Sequence, residues 1–268
     1  MKARRTRVRL VMGVLRNRRA MAVLSPALFL LLWELAVRAG LISLDTFTSP
    51  VQVFWALKEI AFGENLALRG RLDTHMLASL ESVLLGFLVA TAVGVPLGIL
   101  LGWSEVLHNF FDPVVELLRP IPPMAWVPLS LLLLGIGLQQ KVFVVFLGTF
   151  APTLISTVGG AKNLDPLILK VAQTHNASQV DTLFKVYLPA LLPTIFTTCR
   201  VGLGLAWMVV VAAELVAAEA GLGFLLIQAY RVFRMDVMVA VMAIIGLTAF
   251  AMDRLMRWVQ PRVIRWQG

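Results

Sequence analysis

Six long stretches of mostly apolar residues dominate the sequence, and they limit the folds that this chain can adopt. They cover residues 23–39, 76–101, 122–138, 141–161, 189–213 and 236–258. A helix needs about 20 apolar residues to cross the roughly 30 Å hydrocarbon core of a bilayer. Inside that core the backbone must satisfy its own hydrogen bonds, as an α-helix does. The sequence therefore predicts an all-α polytopic membrane protein with about six transmembrane helices.

The composition agrees with this prediction. Hydrophobic residues make up 59% of the 268 residues and charged residues only 15%, whereas a soluble domain has about 25% charged residues. The net charge of +9 is concentrated in residues 1–20, where eight lysines and arginines occur without an acidic residue. We interpret this segment as a cytoplasmic anchor that contacts anionic lipid, not as a nucleic-acid binding site. Residues 21–268 are expected to form one transmembrane domain.

The distribution of lysine and arginine predicts the orientation. With the N-terminus inside, most of these residues fall on the inner side, including those of segment 1–20 and of the loop 162–188. The positive-inside rule therefore places both termini in the cytoplasm and makes the chain a multi-pass protein of a bacterial inner membrane.

The inner loop 162–188 is the most informative segment. It reads as two short helices around a break at Asn176, a residue that tolerates the left-handed conformation. Ser178 is expected to cap the second helix, with Asp181 completing an approximate capping box. Pro189 would then lie in the first turn of the fifth span.

The second helix of this loop carries a predicted apolar stripe. Its members follow helical spacing and are Val180, Leu183, Phe184 and Tyr187. Such a stripe can enter a groove on a partner protein. It can equally pack under its own bundle or lie in the lipid interface, and the residues alone leave these alternatives open.

Ionisable residues inside the spans are candidates for the translocation pathway, because their burial in lipid is costly. Arg200 would attract an anionic substrate, form an internal ion pair, or extend to an interface. Glu214 would close a gate or pair with Arg200, although about 21 Å of helix separates the two. In addition, Pro122 and Trp126 belong to a proline-rich stretch that would line the pathway or fix a helix entry.

Two further features bear on function. The segment 214–235 contains Gly221 and Gly223 and is expected to turn back toward the pore as a partial helix. No phosphate-binding glycine loop occurs, so we expect no ATP hydrolysis by this chain. Cys199 is the only cysteine and the histidines are isolated, so neither a catalytic nor a metal site is predicted.

The inner loop resembles the cytoplasmic coupling motif of ABC importer permeases, in the branch that imports taurine, sulfonates and nitrate. The resemblance is carried by Ala172, Ala177-Ser178, Val186, Leu188-Pro189 and Pro193, and by further motifs in the same order, which are 112–113, 119–128, 135–137, 150–152, 213–215 and 221–224. Two positions depart from the motif: Lys170 stands where it has glutamate, and Asn176 where it has glycine.

The resemblance implies a type I ABC importer permease fold and a set of partners. These are ABC ATPase subunits that hold ATP and Mg, an extracytoplasmic substrate-binding protein, and a second permease copy, expected to be identical. Coupling to the ATPase would involve Ala172, Asn176, Ala177, Ser178, Val180, Asp181, Leu183, Phe184, Tyr187 and Pro189. The implied substrate is a small anion such as taurine or an alkanesulfonate. The alternatives are nitrate, bicarbonate or another small molecule, and a secondary transporter or channel.

Overall fold

The computed structural model describes residues 18–41, 47–63 and 71–264, and within these ranges the chain is helical and contains no β-strand. Residues 1–17 of the basic segment predicted at 1–20 lie outside the described residues. The helices are α1 (Arg18–Arg38), α2 (Pro50–Phe62), α3 (Leu72–Trp103), α4 (Glu105–Leu118), α5 (Val127–Leu134), α6 (Leu138–Lys162), α7 (Pro166–Thr174), α8 (Gln179–Val216), α9 (Leu222–Arg231) and α10 (Met235–Val263).

Helices α3, α6 and α8 form the centre of the bundle, and small residues allow them to approach closely. A Cβ atom at Gly98 of α3 would lie only 2.6 Å from the Cβ of Thr157 on α6. One at Gly86 would lie 2.5 Å from Val145. These contacts explain why glycine is needed within a long membrane helix, where it otherwise weakens helical structure.

Among the described residues, four helices, α3, α6, α8 and α10, are long and apolar enough to cross a membrane. They contain the second, fourth, fifth and sixth predicted spans. The fifth begins earlier than predicted, because α8 runs without a break from Gln179 through Pro189. The first predicted span, 23–39, overlaps α1, a helix of 21 residues that ends at Arg38. The total of six spans stays a prediction.

The third predicted span, 122–138, is not one continuous helix. Its residues form a 3₁₀ turn, Pro123–Trp126, and then α5, which has 8 residues and is therefore about 12 Å long. Helix α4 and the segment Pro123–Leu134 together have the composition of one span but are bent by 81°. The prolines of this stretch interrupt the helical hydrogen bonds and account for the bend.

Much of the apolar surface of these helices is exposed in the isolated chain. On α10, for example, Leu247 and Phe250 are 66% and 65% exposed. A continuous apolar surface of this extent is expected to contact lipid or another subunit.

Arg234 connects the corner between α9 and α10 to helix α2. Its guanidinium donates to Asp236 and to Glu59, with Nη2–Oδ2 and Nη2–Oε2 distances of 2.9 and 2.7 Å. The hydrogen bonds to Asp236 and Glu59 raise the pKa of Arg234 above its ordinary value. The short helix α2 is thereby held against the bundle at the end opposite to the loop 162–188.

Candidate functional site

The loop 162–188 folds as two helices around a tight turn, as the sequence predicted. Asn176 adopts the left-handed conformation with φ of 52°. The Ser178 hydroxyl accepts a hydrogen bond from the Asp181 backbone N–H at 3.1 Å and donates one to the Asp181 carboxylate at 2.7 Å. The N-cap is therefore confirmed, and the chain direction changes sharply between α7 and α8.

The residues of the predicted stripe lie on two sides of α8: some pack under the bundle, and others are exposed. Tyr187 is 2% exposed and lies edge-on to Trp103 with ring centroids 4.9 Å apart, and Leu183 packs beside it. Val180 and Phe184 are 66% and 61% exposed. Residues 182–187 are π-helical, and their wider turn alters the spacing at which side chains share a face.

Both helices carry large apolar side chains that are exposed, and we call this set of residues the loop surface. Its members are Leu167, Ile168, Val171, Val180 and Phe184. Several of them border a groove of about 570 Å³ whose base includes the buried Ala172. At the side of the groove, Lys185 pairs with Asp181 at 2.5 Å. Apolar side chains exposed on a polar loop are typical of a protein-binding surface.

The remaining coupling candidates have structural positions within this loop. Ala177 donates its backbone N–H to the carbonyl of Ala172 at 3.2 Å, which closes the turn. Pro189 follows the π-helical segment and lacks an N–H for the carbonyl of residue 185. A π-helical turn is one way for a helix to continue past such a gap.

Arg200 forms an internal ion pair, which is one of the alternatives left open by the sequence. Its Nε lies 3.0 Å from Oδ1 of Asp253 on α10, and Arg257 binds the other oxygen of the same carboxylate at 2.7 Å. Within the described residues, therefore, the charge of Arg200 is compensated by a neighbouring helix.

Pro122 and Trp126 lie at opposite ends of the 3₁₀ turn, where Pro122 is the N-cap residue. Trp126 and Pro123 border a cavity of about 210 Å³ between the end of α4 and the middle of α6. The proline-rich stretch thus sets the bend before α5 and leaves unfilled space behind it.

Glu214 is the centre of a buried polar cluster at the other end of α8. With a helical rise of 1.5 Å per residue, Glu214 lies about 45 Å from Phe184 along the helix axis. It is 1% exposed. Its carboxylate accepts from the Ser79 hydroxyl at 2.8 Å and from the Gly223 N–H at 3.0 Å. The ammonium group of Lys141 lies 3.6 Å away and donates to the carbonyl of Ala220 at 3.2 Å. Glu214 therefore does not pair with Arg200.

This Glu214 cluster, comprising His75, Ser79, Lys141, Glu214 and the backbone of residues 220–223, also caps helix α9. The first N–H groups of a helix have no partner inside the helix. Here the N–H groups of Gly221 and Leu222 donate to His75 Nδ1 at 3.2 Å and to Ser79 Oγ at 2.8 Å. The predicted partial helix at 214–235 is thus confirmed as α9, anchored to α3 and α8.

Both glycines of this turn are required by close contacts with α8. Gly221 has φ of 141°, and a Cβ atom there would overlap the carboxyl group of Glu214. A Cβ atom at Gly223 would lie 2.5 Å from the carbonyl oxygen of Val211.

Sequence reasoning missed three members of this cluster. His75 was judged isolated, Lys141 was noted only as the first residue of the fourth predicted span, and Ser79 carried no signal. One indication was present, since a carboxylate in an apolar helix needs a partner. Within residues 18–41, 47–63 and 71–264, no three His, Cys, Asp or Glu side chains are grouped as a metal site.

A helical bundle with several helices long and apolar enough to cross a membrane defines a polytopic membrane protein. Comparison with known proteins identifies the family within this class. Residues 94–265 match the family described as binding-protein-dependent transport system inner membrane component, and the chain belongs to this family of ABC permeases.

Individual relatives support this assignment. The chain is 37% identical to the taurine transport system permease protein of Escherichia coli over 242 residues, covering 90% of this chain and 88% of that protein. It is 32% identical to the nitrate import permease protein of Synechocystis, covering 81% and 80%. Its fold is similar to a chain of the inward-facing MetNI methionine ABC transporter, with a TM-score of 0.61 at 20% identity, covering 70% of this chain and 92% of that one.

Proposed function

We infer that the chain, as a member of this family, acts as the inner-membrane permease subunit of an ABC importer, together with a separate ATPase subunit and a separate substrate-binding protein. We propose that it imports a small anion of the taurine or alkanesulfonate class. The support is the 37% identity to a taurine permease over 90% of this chain. Nitrate is the second candidate, because a nitrate permease is also similar over most of the chain.

We further propose that the loop surface docks on the cytoplasmic ATPase, which binds ATP and Mg. The main support is that Val180 and Phe184 are apolar, exposed and four residues apart on a helix with an N-cap at Ser178. Two permease copies would enclose the pathway between them, with both termini in the cytoplasm. ATP-driven closure of the ATPase pair would then move α7 and the start of α8, and these would move the bundle.

Among the pathway candidates, we retain Pro122 and Trp126, because Trp126 borders unfilled space. We assign Arg200 and Glu214 to helix packing instead, because each is bound by side chains of neighbouring helices. Their roles would then be to hold α8 against α10 and α3.

The docking proposal is tested by replacing Val180 and Phe184 with aspartate and measuring co-purification of the tagged permease with its co-expressed ATPase. Burying each apolar side chain contributes roughly 1.5–3 kcal/mol, so the double variant should bind the ATPase at least about 100-fold more weakly. It should elute from gel filtration as the unmodified protein does.

Two controls separate docking from folding. Asn163→Asp adds a negative charge to the same loop at an exposed position outside the loop surface and should leave binding intact. Leu183→Asp introduces a carboxylate against the buried cluster of Ala161, Tyr187 and Leu191 and should reduce the yield of folded protein instead. Unchanged ATPase binding by the Val180 and Phe184 double variant would refute the docking proposal.

The substrate proposal is tested with the permease, its ATPase and its binding protein reconstituted in vesicles. Labelled taurine should accumulate only when ATP hydrolysis is possible, and unlabelled taurine should compete better than nitrate. Uptake without the ATPase would point to a channel or secondary transporter.

A further inference from the structure

A large cavity separates the loop 162–188 from the bundle, and the docking proposal does not use it. Its volume is about 710 Å³, within the range of ligand sites in proteins. The loop contributes Pro166, Leu169 and Tyr187 to one wall, whereas the ends of α3 and α6 and the start of α4 form the other.

The cavity lies where two membrane-crossing helices end. Trp103 is the last residue of α3 and Lys162 the last residue of α6, and both border the cavity. Tryptophan is enriched at the level of lipid headgroups. Basic sites between transmembrane helices on the cytoplasmic side are known to bind anionic headgroups.

Several hydrogen-bond donors around the cavity have no partner within the described ranges. Among the described residues, the hydroxyl of Tyr187 is buried without a hydrogen bond although the residue is only 2% exposed. The indole N–H of Trp103, the Asn109 amide and the Lys162 ammonium group likewise make no hydrogen bond or ion pair within this part of the chain. A set of unengaged donors around one cavity suits an oxyanion.

Two other ionisable residues border the same cavity. The imidazole of His108 is half-buried and lies 3.7 Å from the carboxylate of Asp112. The carboxylate of Glu105 is exposed at the rim and would repel a simple anion. It would accept a hydrogen bond, however, from a ligand that carries a donor beside its anionic group.

We propose that this cavity binds the headgroup of a phospholipid of the adjacent leaflet, a phosphodiester whose polar end carries a hydrogen-bond donor. Phosphatidylglycerol and phosphatidylethanolamine have this chemistry, and phosphatidylcholine lacks the donor. Leu101, Leu164 and Leu169 provide apolar surface for the glycerol and the first acyl carbons. The volume also exceeds what a free phosphate or sulfonate ion would fill. A bound lipid would contact both the loop and the bundle.

The test is native mass spectrometry of the full-length purified permease, titrated with dihexanoyl phosphatidylglycerol. We expect one saturable site, with dihexanoyl phosphatidylcholine binding more weakly. Lys162→Gln and Tyr187→Phe should each weaken binding about tenfold, as expected for the loss of a hydrogen bond to a charged group. Lys170→Gln is the matched control, because Lys170 is exposed on the same loop but does not border the cavity.

Equal affinity of both cavity variants and the unmodified protein would overturn the proposal. Displacement of the lipid by millimolar inorganic phosphate would refute the claim that the bound anion is a lipid headgroup. The site would then be assigned to a free oxyanion. Tyr187→Phe keeps the ring that packs on Trp103, so a loss of binding by this variant cannot come from unfolding of that contact.

Discussion

The buried pair of Lys141 and Glu214 allows a quantitative prediction. At 3.6 Å, with an effective dielectric constant of 20, two unit charges attract by about 4.6 kcal/mol. Removing one partner of a buried pair costs about 3–5 kcal/mol, because the other charge remains buried. Lys141→Met and Glu214→Gln should each therefore lower the free energy of unfolding by about 3 kcal/mol.

The double variant should lose much less free energy of unfolding than the two single variants lose in sum. With both charges removed, only the neutral hydrogen bonds of residue 214 to Ser79 and Gly223 need to be kept. We expect a loss of about 2 kcal/mol for the double variant, hence a coupling energy of about 4 kcal/mol, below the Coulomb figure because desolvation opposes the pair. The measurement is a double-mutant cycle of unfolding in mixed detergent micelles, titrated with a denaturing detergent.

Additive effects, with a coupling energy below about 0.5 kcal/mol, would show that the two charges do not interact and would refute this reasoning. Lys58→Met provides the control. Lys58 is exposed and its ammonium group lies over the ring of Trp55, so its replacement should change stability by less than about 1 kcal/mol.

Two other predictions concern the same chain. Gly221→Ala should lower stability by roughly 3–5 kcal/mol, since it combines a strained backbone conformation with displacement of the Glu214 carboxylate, and a drop in melting temperature of the detergent-solubilised protein would measure it. The orientation is testable by thiol labelling of cells, because Cys199 is buried and is the only native cysteine. A membrane-impermeant reagent should label Phe233→Cys but not Asn163→Cys, and the reverse pattern would invert the proposed topology.

Some features of the fold were predictable because they depend on neighbours in sequence. Ser178 and Asn176 define the turn of the loop through bonds and dihedral angles within a few residues, and both predictions were confirmed. The long spans follow from apolar length alone. The proline-rich stretch before α5 was expected to disturb regular helix, yet its consequence, an 81° bend in place of the third span, was not foreseen.

Other features depend on residues far apart in sequence. Ser79 and Glu214 are separated by 135 positions, and no local pattern relates them. The division of the stripe between Phe184 outside and Tyr187 inside results from a π-helical segment that packs against Trp103.

The sequence by itself determined that the chain crosses a membrane, where its loop turns, and that a buried carboxylate must have a partner. These conclusions rest on hydrophobic length, on local capping and on the cost of burying a charge, none of which needs a partner's identity. Only the tertiary structure decided that the partners of Glu214 are Ser79 and Lys141, that Arg200 binds Asp253, and which side of α8 remains exposed. Several donors or cations in the chain would satisfy each group equally well, and close packing of the helices selects among them.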